Sequence, residues 1–130
     1  MQTIRFEFDV LVGGDRSAAS DAFAAVNPGW KCCWGKNGGF LAEPPQLDEC
    51  TDAALFAGRH IEAYAAQLSS LRGFGHGHSI RIAAYVDLEA VDDFNLNLKP
   101  STMSLAASLG YEIDFCLYSQ ATKGEAPLPA

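Results

Sequence analysis

The chain has 130 residues, 48% of them hydrophobic, and its sixteen acidic and nine basic side chains give a net charge of -7. That size and apolar content suit one domain whose core can stand without metal or disulfide staples. The charge repels phosphate backbones and anionic lipid, so nucleic acid and membrane are excluded as expected partners and a basic protein is favoured.

Ile4, Phe6, Phe8 and Val10 alternate with Arg5, Glu7 and Asp9, a period-two pattern that predicts a half-buried strand. Those early charges leave no room for an apolar leader, and no stretch is long enough to cross a bilayer, so a cytoplasmic location is expected. In that compartment Cys32, Cys33, Cys50 and Cys116 are expected to be reduced thiols. Gly13-Gly14 closes the strand. Asp15 or Ser17 can then cap a short helix carrying Ala19, Ala22, Phe23 and Val26 on one face, stopped by Asn27-Pro28-Gly29.

Residues 30–45 mix tryptophan, cysteine and glycine and suit an irregular stretch or a short hairpin turning at Lys36-Asn37-Gly38-Gly39. From about Asp52 to Arg72, Ala54, Ala57, Ile61, Tyr64, Leu68 and Leu71 recur at helical spacing and predict one long amphipathic helix, with His60 at the edge of its apolar stripe. Ile80, Ile82, Ala84, Val86 and Leu88 form an alternating strand. Phe94, Leu96 and Leu98 alternate with Asn95 and Asn97, and the two segments are expected to pair as antiparallel neighbours. Pro100 and Ser101 start a short helix that Gly110 ends, and Tyr111, Ile113, Phe115 and Leu117 form the last strand. A loose tail is expected from 120 to 130, after a single domain spanning 1–119.

The order of elements predicts an α+β fold: one mainly antiparallel sheet of four to five strands with helices packed on one face. The segment Phe94-Asn-Leu-Asn-Leu-Lys-Pro100 and the later Leu105-Ala-Ala-Ser-Leu-Gly-Tyr-Glu-Ile-Asp-Phe-Cys-Leu-Tyr118 resemble the bacterial family catalogued as domain of unknown function 4279. Layout over most of the chain fits as well, with Pro28 and Trp30 matching a Pro-then-Trp segment. The resemblance implies the fold and carries over no catalytic residues. The Cys32-Cys33 pair and the His76-Gly-His78 turn depart from the family's pattern.

If the apolar sides of the strands face the helices, Arg5, Glu7, Asp9, Arg81, Tyr85, Asp87, Asn95, Asn97, Glu112, Asp114, Cys116 and Tyr118 share the opposite side. One reading is a merely solvated sheet face. The sharper reading is a docking surface, with Glu7, Asp9, Tyr85, Asp87, Glu112, Asp114 and Tyr118 receiving Lys and Arg of a partner. Asp92 and Asp93, in an acidic loop, would extend its field. Trp30 and Trp34 serve as lids on the core or as secondary partner anchors.

His76 and His78, with Cys32 and Cys33, are weak metal-ligand candidates lacking paired C-x-x-C units, and one of those thiols beside one of those histidines is the sole candidate for nucleophilic catalysis. No cofactor and no enzyme activity is expected. The leading expectation is an acidic protein-binding domain, of the immunity or antitoxin kind, that masks a basic toxin surface. The alternatives are a small-molecule or metal-binding regulatory domain using residues 30–40 and the histidine turn, and a structural domain that self-assembles through a sheet edge.

Overall fold

The computed structural model describes residues 4–47, 52–90 and 94–119. The opening alternation becomes strand β1 (Ile4–Gly13), which buries Phe6, Phe8, Val10 and Val12 on one side. Helix α1 (Ala18–Val26) is nucleated by a capping box: the Ser20 amide donates to Ser17 Oγ at 3.1 Å, and the Ser17 amide donates to Ser20 Oγ at 3.0 Å. A hairpin follows, with β2 (Lys31–Trp34) and β3 (Phe40–Glu43) joined by a glycine turn whose Gly38 and Gly39 hold φ of 89° and 94°. Such dihedrals belong to glycine because a Cβ would clash there.

The long helical periodicity is real, but the helix is broken. Helix α2 (Ala53–Ala63), capped by Asp52 accepting from the Leu55 amide, ends at Tyr64, and helix α3 (Ala65–Leu71) restarts from it. Tyr64 leaves helical geometry with φ -109° and ψ 19°. Its side chain is committed elsewhere: the hydroxyl donates to the Pro45 carbonyl at 2.6 Å and the ring meets Trp30 edge-on. A smooth helix follows one stripe, whereas this tyrosine anchors the loop before α2 from a different angle.

Strand β4 (His76–Val86) is followed by α4 (Pro100–Leu109) and β5 (Glu112–Ser119). Pro100 opens α4 where a missing N–H costs nothing, and Gly110 closes it at φ 84°, in the left-handed region. The sheet order is β2-β3-β1-β4-β5, mixed because β4 and β5 run parallel while the other pairs are antiparallel. The helices contact one another as one layer over one sheet face, so the fold is α+β as the sequence predicts.

One expected strand is absent. Residues 94–99 have no regular structure, and the partner foreseen for them on β4 is instead β5, held parallel by the α4 crossover. The alternation there is nonetheless meaningful: Phe94, Leu96 and Leu98 pack against the core while Asn95 and Asn97 are exposed, and the Phe94 ring stacks on Phe6 at 6.3 Å. An extended segment lying across a packed layer has the same period as a strand in a sheet. Both sides of β4 were already taken by β1 and β5.

Between sheet and helices lie Phe8, Val10, Ile80, Ile82 and Val86 from the strands and Ile61, Leu68 and Leu71 from the helices, all fully buried. Each such side chain contributes about 1.5–3 kcal/mol over leaving it in water. His60 belongs to this core and not to the stripe's margin. It stacks on Phe8 at 5.0 Å and meets the Phe56 ring at a tilt, 4.1 Å between centroids. Its Nδ1 donates to the Phe56 carbonyl at 2.8 Å, and its Nε2 accepts from the Leu47 amide at 3.1 Å. Both ring nitrogens are thereby satisfied by the neutral form, and burial lowers the pKa.

Candidate functional site

The register fixes what the other face of the sheet presents. Reading across strands, one row is Lys31, Glu43, Asp9, Arg81 and Asp114; the next towards the chain ends of β1 and β5 is Glu7, Ala83 and Cys116; the outermost is Arg5, Tyr85 and Tyr118. On the opposite flank stand Cys33, Leu41, Leu11, Ser79 and Glu112. Pleating has gathered carboxylates from three strands, β1, β3 and β5, onto one surface, since residues two apart in a strand point the same way.

These groups are paired as well as gathered. Arg81 grips Asp9 with two parallel bonds, Nε to Oδ1 at 2.9 Å and Nη2 to Oδ2 at 2.6 Å, while the Asp9 side chain is only 13% exposed. Such a fork is the strongest geometry open to a carboxylate. Ser79 Oγ donates to Asp114 Oδ2 at 2.6 Å. Arg5 lies 3.4 Å from Glu7 and spreads its guanidinium 4.2 Å above the Tyr85 ring, which in turn stacks on Tyr118 at 5.0 Å. A cation over a tyrosine face is attracted by the ring's negative quadrupole.

The field of the face is legible in its titration. Partial burial, and then the hydrogen bond to the Glu7 carboxylate, push the Tyr85 hydroxyl up to about 12. Glu43 is held above the ordinary carboxylate value by burial and by Glu7 and Asp9, with Lys31 opposing. Carboxylates outnumber cations here, so a further positive charge would be welcomed.

No protein-family model, curated protein or solved structure matches the chain. The geometry therefore carries the functional reading.

Of the expected partner-binding residues, Glu7, Asp9, Tyr85, Glu112, Asp114 and Tyr118 do share the open face. Asp87 does not: β4 ends at Val86, and Asp87 is buried at a turn where its Oδ1 accepts from the Glu89 amide at 3.1 Å. Asp92 and Asp93 lie outside the described residues. Trp30 is buried edge-on to Phe23 and Tyr64, and Trp34 donates from Nε1 to Ser20 Oγ at 3.1 Å beneath the Arg16 guanidinium. Both close one end of the core.

The histidine and cysteine candidates are not brought together. His78 is buried, with Nε2 2.8 Å from the carbonyls of Leu71 and Phe74 and Nδ1 2.8 Å from the Arg72 guanidinium, so both nitrogens fasten the loop after α3. His76 is exposed beside Gly13. Cys32 and Cys33 stand on β2, three strand spacings from β4, which puts about 14 Å between the backbones. Cys32 turns to the core side and burial raises its thiol pKa, while Cys33 is exposed on the other face. Among the described residues no three His, Cys, Asp or Glu side chains converge as metal ligands.

Sequence reading missed Leu11, which the β1 alternation already placed on this face, and Lys31, Glu43 and Leu41 of the hairpin. The hairpin sequence alone has no strong alternation, and only its pairing with β1 assigns a side to each residue.

Proposed function

We propose that the chain is an acidic protein-binding domain, of the immunity or antitoxin kind, that holds the basic surface of a protein partner against the open face of its sheet. The observation that carries this reading is the set of carboxylates on Glu7, Asp9, Glu43, Glu112 and Asp114, bordered at one end by the stacked Tyr85 and Tyr118 rings, on a face that the helix layer leaves uncovered. Carboxylates receive Lys and Arg, and tyrosines add rigid contact area at small entropic cost. The net charge of -7 would speed encounter with a basic partner. Membership of the family catalogued as domain of unknown function 4279 belongs to the same proposal and bears on the fold.

Co-expression with the product of the adjacent gene tests it. The expected result is a stoichiometric complex that loosens as salt rises and is lost, together with rescue of growth, in Glu112→Lys/Asp114→Lys. Absence of a complex, or one indifferent to that charge reversal, would sink the reading.

A second reading has one observation in its favour. The hairpin segment singled out for small-molecule binding borders a cavity of about 380 Å³ lined by Leu11, Val12, Cys33, Trp34, Phe40 and Leu41. Its lining is almost wholly apolar, with few groups to orient a ligand. A rise in unfolding temperature with small aromatic compounds, removed by Trp34→Ala, would favour it.

A further inference from the structure

The two edges of the sheet are built differently. Strand β2 has four residues, begins with the exposed Lys31 and runs at once into a glycine turn. Shortness and an edge lysine are standard protections against unwanted pairing. Strand β5 has eight residues, Glu112–Ser119, pairs with β4 along its whole length and has no other neighbour among the described residues. It contains no Pro, Gly, Lys or Arg. Its outer backbone groups form a long, regular template of donors and acceptors.

The side chains at that edge say what would fit. On the open face the charged row Lys31, Glu43, Asp9, Arg81, Asp114 ends at β5 on a carboxylate. Glu112 makes no ion pair with any described residue, and Asp114 is engaged by the neutral Ser79 hydroxyl. The stack Arg5, Tyr85, Tyr118 ends on a ring that is 37% exposed. On the helix side, Ile113 and Phe115 are partly buried and Leu117 is 56% exposed.

We infer that an extended segment of the basic partner, alternating Lys or Arg with aliphatic residues, adds to the outer edge of β5 as a sixth strand. This rests on the proposed function and specifies its partner. Basic side chains of the added strand would stand beside Glu112, Asp114 and the Tyr118 ring, and its aliphatic ones beside Ile113, Phe115 and Leu117, because neighbouring strands share the two-residue period. Main-chain hydrogen bonds supply affinity in such strand addition, and the alternate side chains supply choice of partner. A second copy of this chain fits less well: it would bring Glu112 and Asp114 to the seam with no cation to receive them.

The test uses the full chain and a fluorescent peptide of about nine residues alternating Lys or Arg with Val, a length that matches a strand. Three controls accompany it: the same composition with its basic residues in one block, and two peptides N-methylated on alternate backbone nitrogens, one in each phase. By fluorescence anisotropy the alternating peptide should bind, and the block peptide and one N-methylated phase should each bind at least about tenfold more weakly, the equivalent of one hydrogen-bonding increment or more. Glu112→Lys/Asp114→Lys should weaken the parent peptide to a similar degree, and hydrogen exchange at β5 amides should slow on binding.

The inference is overturned if the parent peptide does not bind, or if all four peptides bind alike, which is plain electrostatic attraction. It also falls if sedimentation shows a dimer whose β5 amides are already protected. If the adjacent gene's product forms a charge-sensitive complex that leaves β5 amides exchanging freely, the proposed function survives and strand addition does not.

Discussion

The two faces of the sheet come from the same strands and are held by opposite means. On the covered face Phe8, Val10, Ile80 and Ile82 are buried beneath α2 and α3, and their contribution is area removed from water. On the open face Arg81 and Asp9, Arg5 and Glu7, Ser79 and Asp114 hold one another in place at partial exposure. Such pairing adds little net stability in water, where exposed ion pairs are worth about 0–1 kcal/mol. What it does is set the arrangement of charges that the face presents to its surroundings. The burial that holds the fold and the charge pattern that the proposed function uses are thereby separated by the thickness of one sheet.

Truncation should expose that separation most strongly. Phe8→Ala should cost about 3–5 kcal/mol by leaving a cavity between sheet and helices, whereas Tyr118→Ala should cost well under about 1 kcal/mol, as surface changes do. Urea unfolding of both variants measures the contrast. Comparable losses would mean that the open face is a structural layer in its own right.

A smaller loss should follow Arg81→Met, which strands the largely buried Asp9 carboxylate. About 1.5–3 kcal/mol is expected for a hydrogen bond to a charged group, and adding Asp9→Asn should restore part of it, because the unpaired charge is then gone. If the single and double variants unfold together, Asp9 has found water, and the face is more open than its pairing implies.

The covered face should be the more sensitive to mild acid. His60 has its pKa lowered from the ordinary value of 6.5 by burial, so the folded state holds fewer protons than the unfolded one. Its contribution is complete above about pH 6.5 and declines as pH falls below that value. Glu43 works in reverse: its raised pKa means that its contribution is complete below the ordinary 4.5 and is lost as pH rises through the folded value. His60→Gln should flatten the decline in unfolding midpoint below neutrality. An unchanged slope in that variant would move the cause elsewhere.

How much of this was legible depended on whether a pattern named its partner. The alternation of Ile4 to Val10 and of Ile80 to Val86 assigned every side chain to a face, and with it the gathering of Glu7, Asp9, Arg81 and Tyr85. Ser17 and Gly110 announced the ends of helices through cap chemistry that acts locally. Phe94 to Leu98 carried the same period as a strand, yet pairing depends on which edges are free, and that is a property of the whole sheet. His60 and His78 were equally opaque. What decides their roles is carbonyls and amides on distant segments, which no spacing in the chain encodes.

The smallest effect would refine the open face alone. Tyr85 should ionise at about 12, identified by the ultraviolet phenolate signal that Tyr85→Phe removes. Burial is the first cause of the shift and the Glu7 carboxylate the second, acting both as hydrogen-bond acceptor and as a like charge facing the phenolate. Glu7→Gln should therefore bring the midpoint down, without returning it to the ordinary 10.0, since the ring stays packed between Arg5 and Tyr118. A complete return would make Glu7 the whole cause and the ring effectively solvated. No movement at all would show Glu7 turned to water, leaving that carboxylate free for a lysine of the proposed partner from the outset.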